Sequence, residues 1–472
     1  MSAQLERIRR EVETATQKNG ASAPAEQSIL DTDMANARRL ALQHGDGLRF
    51  TPERGWLVWD GTRWTPDNAG RAMRAAKDTA LAIFDEIKDS RFQKELFQWA
   101  RRSQSRERLQ AMLALAESEP GIPARFADFD ADAMLLNVEN GTLDLRTGEL
   151  RPHAPADRIT RIVPVKYDPS ADCPTWDAFL WRVLGKDREL YDYVQRALGY
   201  TLTGRTDEQC LFFCHGLGQN GKSVFLETVQ ALVADYATTA RTETIMQRGA
   251  GGIPNDVAAL HGARFVSINE TGDGQRFNEP LIKDLTGGDT VSARFLHREF
   301  FTFQPAFKLW IRGNHKPVIR GTDHGIWRRI HLIPFTVTIP PEERDPRLLD
   351  KLRGELPGIL AWTVQGCLAW QRDGLRPPET VTRAVQDYRT EMDVLGTFIE
   401  EVCKVERLGE ATAKALYTAY RTWTEESGEH PVTQMAFGLA MQERGFERKR
   451  TRAGYRYLGI RLPDQAHWSD EA

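Results

Sequence analysis

The stretch LFFCHGLGQNGKSVFLETVQAL (residues 211–232) decides the fold, because it predicts a strand, a glycine loop and a helix in direct succession. Residues 211–214 form a short apolar run, as a buried strand does. Val224, Leu226 and Val229 then follow at the spacing of an amphipathic helix. A strand that leads through a glycine-rich loop into a helix is typical of α/β nucleotide-binding domains.

The glycine loop (residues 216–223) matches the phosphate-binding signature G-x-x-x-x-G-K-[ST]. Glycines let successive backbone N–H groups converge on phosphate oxygens, and the N-terminus of the following helix adds positive potential. Lys222 can then reach the β- and γ-phosphates, and Ser223 can bind magnesium. The segment predicts an ATP and Mg²⁺ site formed by Gly216, Leu217, Gly218, Gln219, Asn220, Gly221, Lys222, Ser223 and Val224.

The same residues also spell G-x-G-x-x-G, the fingerprint of dinucleotide-binding domains, through Gly216, Gly218 and Gly221. A dinucleotide site does not need a Lys-Ser pair after its last glycine. It also requires an acidic residue at the end of the next strand, about 20 residues further on. Asp235 comes too early for that role. The sequence therefore favours the phosphate loop, with a dinucleotide site or a chance match as the alternatives.

A nucleotide hydrolase also needs a carboxylate beside this loop, and two apolar segments end in one. Around LAIFDE (81–86), alanine and isoleucine recur at helical spacing, which predicts a helix rather than a strand. RFVSINE (264–270) instead reads as a short strand whose end should lie beside the glycine loop. Glu270 is therefore predicted to polarise the attacking water and, with Ser223, to hold magnesium, while Asn269 occupies the usual place of an aspartate. A surface glutamate at a strand end is the alternative.

Two further segments carry polar residues that suit phosphoryl transfer. FKLWIRGN (307–314) reads as a strand, after which Asn314 could hydrogen-bond the γ-phosphate or the water. HGIWRRIHLIPF (324–335) presents Arg328 and Arg329 before another strand. An arginine supplied by a neighbouring subunit would stabilise charge in the transition state, although an ordinary surface ion pair is the alternative. Adjacent strand residues face opposite sides, so we expect at most one arginine to reach a given phosphate.

Length and composition set the broad class. The 472 residues suffice for roughly three domains. The net charge of −3 gives no overall basic field, so any DNA binding must depend on local patches. The five cysteines are scattered, which favours buried thiols in a reducing compartment. No apolar run approaches the roughly 18 residues of a membrane span, so we expect a protein of the cytoplasm without a membrane partner.

The region before the glycine loop is predicted to be a mixed α+β domain. Asp60 and Gly61 predict a two-residue hairpin turn between Trp59 and Thr62. Residues 70–118 have helical periodicity, and residues 135–169 read as a meander of short strands. Residues 176–202 read as one helix. The sheet core, rather than base stacking, is the favoured role for Trp56, Trp59 and Trp64.

The C-terminal segment has the outline of a winged helix. Residues 411–427 and 433–445 predict two helices, and residues 446–462 predict two strands. Such a basic hairpin suits phosphate contacts, although a solubilising charged hairpin is the alternative. The residues predicted to contact DNA there are Arg448, Lys449, Arg450, Arg452 and Arg456.

The order of these motifs resembles the superfamily 3 helicases, and within them the phage, plasmid and poxvirus primase-helicase branch. The glycine loop is followed by INE, LTGGDTVSARFLHREFFTFQP, WIRGN and WRRIHLIPF. The resemblance covers most of the chain. It implies an AAA+-like α/β P-loop ATPase core, a homohexameric ring, and ATP-driven movement along single-stranded DNA at a forked duplex.

The resemblance also implies roles for individual residues. Lys222 and Ser223 would be Walker A residues, Asn269 and Glu270 the end of Walker B. Asn314 would be the sensor, and Arg328 or Arg329 the arginine finger. Segment 290–303 resembles the hairpin that such helicases project into the ring channel, with DNA contacts near its tip from His297 and Arg298.

The predicted division of the chain follows from these segments. About 135 residues precede LLNVENG, too few for a polymerase-type primase beside the helical region, so we expect a helicase that works with a separate primase or replication initiator. A monomeric P-loop nucleotide kinase or NTPase and a non-unwinding DNA-binding ATPase are the alternatives. The predicted units are a flexible tail (1–30), an α+β domain (31–170), the ATPase domain (171–345), a helical connector (346–391) and a winged-helix domain (392–472).

Overall fold

The computed structural model describes residues 31–90, 92–247, 255–269, 272, 274–294, 300–320, 324–427, 431–451 and 454–463. These residues form a mixed α/β structure around a five-stranded parallel sheet. Antiparallel sheets of three strands precede and follow it along the chain. The α/β core expected from the sequence is therefore confirmed, whereas the predicted tail, residues 1–30, lies outside the described residues. None of the described helices is long and apolar enough to cross a membrane.

The N-terminal region combines a small antiparallel sheet with four helices. Trp64 is fully buried, and its ring packs against those of Trp59 and Phe129. The tryptophans therefore build a core, as predicted. The elements are α1 (Asp33–His44), β1 (Leu48–Thr51), β2 (Gly55–Trp59), β3 (Trp64–Pro66), α2 (Arg71–Glu86), α3 (Gln93–Ser103) and α4 (Arg106–Ala116).

The segment LAIFDE is helical, as its periodicity predicted, because it lies within α2. Glu86 accepts hydrogen bonds from the guanidinium of buried Arg39, with Nη2 at 2.7 Å, so this acid has a structural partner far from the glycine loop. A hairpin is present at Asp60, but its loop is residues 60–63 rather than the two residues predicted, because Trp59 pairs with Trp64. Asp60 accepts the backbone N–H groups of Thr62 and Arg63, and Gly61 takes the left-handed backbone conformation that the turn requires.

The predicted meander is present as β4 (Leu135–Val138), β5 (Gly141–Asp144) and β6 (Glu149–Arg151), paired antiparallel in that order. Its buried face packs into the same apolar core as the helices α5 (Pro174–Val183) and α6 (Arg188–Leu202). The single helix predicted for 176–202 is thus wrong. Gly185 and Lys186 adopt positive φ angles of 71° and 60°, which an α-helix cannot contain.

The central sheet is parallel throughout and has the strand order β13-β7-β12-β9-β8. Both faces are covered by apolar clusters, which explains why its strands read as continuous apolar runs. Because the strands are parallel, all their carboxyl ends meet at one edge. The strands are β7 (Leu211–His215), β8 (Ala237–Ala240), β9 (Phe265–Asn269), β12 (Lys308–Gly313) and β13 (Ile330–Pro334).

Shorter elements connect these strands. Helix α7 (Lys222–Val233) follows the glycine loop, and a two-stranded hairpin lies between β9 and β12 along the chain. The remaining elements of this region are α8 (Asn255–Ala258), α9 (Glu279–Gly287), β10 (Val291–Ala293), β11 (Phe301–Phe303) and α10 (His324–Trp327).

After the sheet come α11 (Leu348–Gly354), α12 (Leu356–Asp373) and α13 (Glu379–Glu391). Helix α12 packs closely along α6. The two backbones are so near that a side chain at Gly199 or Gly366 would overlap the backbone of the other helix. The predicted helical connector (346–391) therefore contributes to the apolar cluster that covers one face of the parallel sheet.

The C-terminal region has its own apolar core, built around Phe398, Tyr420, Phe437 and Tyr457. Both predicted helices and the basic hairpin are present. The sequence did not predict β14, which pairs with β16 in a sheet of order β14-β16-β15. The elements are α14 (Val394–Val402), β14 (Lys404–Thr412), α15 (Ala413–Glu426), α16 (Gln434–Glu443), β15 (Arg448–Thr451) and β16 (Gly454–Arg461).

Candidate functional site

The glycine loop lies at the carboxyl edge of the parallel sheet, between β7 and α7. Two of its glycines are required by close contacts. A side chain at Gly216 would overlap the carbonyl oxygen of Phe335. At Gly221, where φ is 85°, a Cβ atom would lie 2.7 Å from Val183 Cγ1. The loop is therefore built to bring backbone close to neighbouring backbone, as a phosphate-binding loop requires.

The loop is anchored to the segment after β13. Buried Asn220 donates from Nδ2 to the Phe335 carbonyl at 2.9 Å. The Phe335 N–H in turn donates to the His215 carbonyl at 2.7 Å, and the Ile339 N–H donates to Gln219 O at 2.9 Å. These anchors involve backbone atoms more than a hundred residues away, and nothing in the local sequence indicated them.

Lys222 is the central side chain of the site. Only 6% of it is exposed, and its Nζ donates to Gly216 O at 2.5 Å, Asn220 Oδ1 at 3.1 Å and Asn314 Oδ1 at 3.2 Å. Burial lowers the pKa of Lys222, and the charge of Arg312 lowers this pKa further. All three acceptors are uncharged, so the ammonium is positioned by groups that phosphate oxygens can displace.

The contact between Lys222 and Asn314 joins two residues that the sequence predicted on separate grounds. Asn314 directly follows β12, which lies between β7 and β9 in the sheet. It therefore stands between the glycine loop and the end of the strand that carries Asn269. Glu270, the next residue after Asn269, lies outside the described residues.

Ser223 and Leu217 are exposed on the same edge of the sheet. Ser223 lies in the first turn of α7, and Leu217, at the tip of the loop, is 92% exposed. Val224, also predicted to contact nucleotide, is half-buried against the apolar core. Among the residues that the structure describes, no cluster of three His, Cys, Asp or Glu side chains could hold a metal ion alone. A cation here would need further oxygen ligands from a bound molecule.

Arg312 is a site residue that the sequence analysis missed. It lies on β12 in register with Asn269 of β9 and Cys214 of β7. Its Nη1 is 3.8 Å from Oε1 of Glu227, on α7. The sequence contains a local pattern that could have identified both Arg312 and Glu227. Arg312 precedes Asn314 by two residues on the same strand face, and Glu227 follows Ser223 by one helical turn.

Arg328 and Arg329 lie at the opposite edge of the sheet. They precede β13 in a turn, so the expectation that they alternate along a strand is wrong. Arg329 is 8% exposed and donates to Thr286 Oγ1 at 3.1 Å and Gly325 O at 2.6 Å. Arg328 is exposed and donates to Gln209 Oε1 at 2.6 Å. The length of β13 separates both arginines from the glycine loop of their own chain.

The residues predicted to contact DNA lie in two other places. The hairpin between β9 and β12 is described at its base, β10 and β11, whereas His297 and Arg298 lie outside the described residues. In the C-terminal region, Arg448, Lys449 and Arg450 are exposed on β15.

Two of the predicted C-terminal contacts have partners within the C-terminal sheet. The Arg448 guanidinium lies 3.8 Å from the ring centre of Tyr455, and Arg456 Nη1 lies 3.2 Å from Glu410 Oε2. Helix α16 contains no lysine or arginine, so positive charge is concentrated on the hairpin. Arg452 lies outside the described residues.

Comparison with known proteins finds similarity in two separate segments of the chain. Residues 37–185 match the family described as D5 N terminal like, and residues 214–329 match a family of unknown function, DUF5906. Similar proteins of large DNA viruses are named as candidate helicases or primases. The chain thus contains a D5 N terminal like domain and is similar to candidate helicases and primases of large DNA viruses. That domain precedes the glycine loop and the parallel sheet along the chain.

Two of these viral relatives are a candidate helicase of Acanthamoeba polyphaga mimivirus and one of Frog virus 3. The first is 27% identical over 300 residues, covering 59% of this chain and 31% of the relative. The second is 28% identical over 263 residues, covering 51% and 27%. The chain thus spans about a third or less of the length of these relatives.

Among solved structures, the apo A form of the NrS-1 C-terminal region is similar in fold. It superposes with a TM-score of 0.51 at 10% identity, covering 90% of this chain and 98% of that one. At this identity the likeness concerns the fold alone.

Proposed function

We propose that this chain is the motor of an ATP-dependent DNA helicase of superfamily 3. It would assemble as a homohexameric ring in the cytoplasm of its host and serve the replication of a phage, plasmid or other mobile element. The observation that carries the proposal is the contact of Lys222 with Asn314 at the carboxyl edge of the sheet. The glycine loop, the parallel sheet and the helicase names of the viral relatives support the same class of function.

In the proposed site, the N–H groups of the glycine loop and the N-terminus of α7 hold the phosphates of ATP. Lys222 exchanges its uncharged acceptors for β- and γ-phosphate oxygens, which bind an ammonium more strongly. Magnesium, when bound, neutralises part of the phosphate charge. Ser223 fits as its protein ligand, because Mg²⁺ takes few protein ligands and keeps several waters. Glu270 orients the attacking water, and Asn314 hydrogen-bonds that water or the γ-phosphate.

Replacing Lys222 with alanine is expected to weaken ATP binding by about tenfold to a hundredfold, because a charged hydrogen bond contributes about 1.5–3 kcal/mol. Titration with a fluorescent ATP analogue measures the change. Lys351→Ala is the matched control, since that lysine is exposed and pairs with Asp345. An unchanged affinity in Lys222→Ala would place the nucleotide elsewhere.

The position of Arg328 supports a site shared between subunits. It is exposed, and it points from the edge of the sheet that lies opposite to its own glycine loop. An arginine so placed can reach a nucleotide only on a neighbouring chain. Buried Arg329 already has partners within its own chain, so we propose Arg328 as the finger.

The DNA contacts are proposed at two places. The β10–β11 hairpin would present His297 and Arg298 to the strand in the ring channel. The C-terminal region has the helices, hairpin and third strand of a winged helix, and its basic charge lies on β15 rather than on α16. We therefore propose that this domain grips phosphates through its wing and does not read bases with α16.

Replacing Lys449 and Arg450 together with alanine is expected to lower DNA affinity by about tenfold at 0.1 M salt. The slope of the logarithm of the binding constant against the logarithm of salt concentration should become less steep by about 1.4–1.8. The reason is that two exposed cations would no longer release counterions from the DNA. Fluorescence anisotropy over a series of salt concentrations measures both quantities. Arg461→Ala is the control, because Glu406 already pairs with that arginine. Parallel salt slopes for variant and parent would rule out the wing as a phosphate contact.

The experiment that tests the function combines two assays on the full chain. A helicase shows ATPase activity that single-stranded DNA stimulates, together with strand displacement on a forked duplex. A metabolic nucleotide kinase would show no DNA stimulation. A non-unwinding DNA-binding ATPase would show stimulation without displacement. Primer synthesis by the chain alone would contradict the proposed division of labour with a separate primase or replication initiator.

A further inference from the structure

The strand end that lacks an aspartate carries a cation beside it. Asn269 is the last residue of β9, and Arg312 of β12 is its direct register partner. Register partners in a parallel pair face the same side of the sheet. That side is the one covered by α7, since Trp310, two residues before Arg312, contacts Phe225 of α7. An aspartate at 269 would therefore lie next to Arg312 and could form an ion pair with it.

The carboxylate that balances Arg312 comes from α7 instead. Glu227 Oε1 lies 3.8 Å from Arg312 Nη1, with 52% of the glutamate and 19% of the arginine side chain exposed. Glu227 follows Ser223 by four residues, so both lie on one face of the helix. Helical side chains lean toward the N-terminus, which directs Glu227 back toward Ser223. Glu227 therefore lies one helical turn after Ser223 on the same exposed face of α7.

Arg312 also acts on the glycine loop. Its charge contributes to the lowered pKa of Lys222, behind the larger effect of burial. Arg344 also contacts the loop, because its guanidinium donates to Gln219 Oε1, but the carboxylate of Glu227 pairs with Arg312. Removing Glu227 would take away the carboxylate that balances Arg312. Removing Arg312 would leave a carboxylate that repels phosphate and attracts a divalent cation.

We propose that Glu227 replaces the carboxylate that Asn269 lacks. Glu227 is a positioning residue that accepts hydrogen bonds from water on the Ser223-bound cation, and Arg312 holds its side chain in place. The inference rests on the proposed function, because it concerns the nucleotide at the glycine loop. It makes the magnesium dependence of ATP binding a property of the Glu227–Arg312 pair.

The test measures ATP affinity of the full chain by calorimetry, once with EDTA and once with saturating MgCl₂. The magnesium dependence is the dissociation constant for ATP in EDTA divided by the dissociation constant in MgCl₂. Glu227→Gln is expected to lower this ratio by about tenfold, since loss of a positioning carboxylate typically weakens metal affinity by that factor or more. Arg312→Gln is expected to raise the ratio, because it leaves the carboxylate unpaired. A merely structural role would shift both variants in the same direction.

Two further variants sharpen the test. Adding Asn269→Asp to Glu227→Gln is expected to restore the ratio, because it returns a carboxylate beside Arg312. Glu379→Gln is the control, since Glu379 also pairs with an arginine, Arg383, but on exposed α13.

The outcomes distinguish failure of the proposed function from failure of this inference alone. If the parent chain fails to bind ATP under both conditions, the proposed function and this inference both fall. If the parent binds ATP with a clear magnesium dependence that Glu227→Gln leaves unchanged, only the inference falls. It also falls if Glu227→Gln and Arg312→Gln shift the ratio the same way.

Discussion

Glu270→Gln is expected to lower ATP turnover by about a hundredfold or more while ATP affinity stays within about twofold of the parent. An amide can still fill the space, but it cannot accept the proton or orient the water as a carboxylate does. The residue follows β9, whose end is separated from the glycine loop only by β12 and Asn314. Steady-state phosphate release and titration with an ATP analogue measure the two quantities on the same sample.

Two comparisons make this result specific. Glu400→Gln, on an exposed face of α14, should leave turnover unchanged. Asn269→Asp should be tolerated, because Asn269 is proposed to act only through hydrogen bonds. Near-normal turnover in Glu270→Gln would show that another residue orients the water.

Arg328→Ala is expected to lower ATPase activity of the assembled protein by about a thousandfold, because an arginine finger contributes that factor or more to phosphoryl transfer. The fold of the Arg328→Ala chain should be unaffected, since the Arg328 side chain is exposed and, among the contacts described, hydrogen-bonds only to Gln209. Mixing equal amounts of Arg328→Ala and Lys222→Ala chains should recover about a quarter of the parent rate, because random assembly pairs an intact loop with an intact finger at that frequency.

Arg329→Ala serves as the adjacent control. This arginine is buried and holds Thr286 and the Gly325 carbonyl, so its loss should lower the free energy of unfolding by about 1–3 kcal/mol. The residual activity of folded Arg329→Ala should exceed that of Arg328→Ala. Absence of recovery in the mixed sample would argue against a finger that acts between chains.

The nearness of Lys222 to Asn314 was accessible from the sequence, for a physical reason. Parallel strands buried on both faces are apolar runs, and each run that ends in a polar residue places that residue at the same edge of the sheet. The same reasoning placed the end of RFVSINE on this edge. It also rejected LAIFDE, whose apolar residues repeat at helical rather than strand spacing.

Other features depended on chain segments that lie far apart. The division of the predicted helix at Gly185 and the pairing of β14 with β16 depend on backbone conformations and partners that local periodicity does not encode. The two adjacent arginines are equivalent as sequence, yet packing against Thr286 buries one and leaves the other exposed.

The sequence by itself determined the chemistry of the loop. GLGQNGKS predicts a phosphate-binding turn through local backbone freedom and one lysine, and this prediction needs no distant contact. Only the tertiary structure decided how charge is arranged around that loop. Strand order brings Arg312 beside Asn269, and the packing of α7 on the sheet brings Glu227 to Arg312. Charge balance in such a site depends on distances across strands and helices, which no single segment contains.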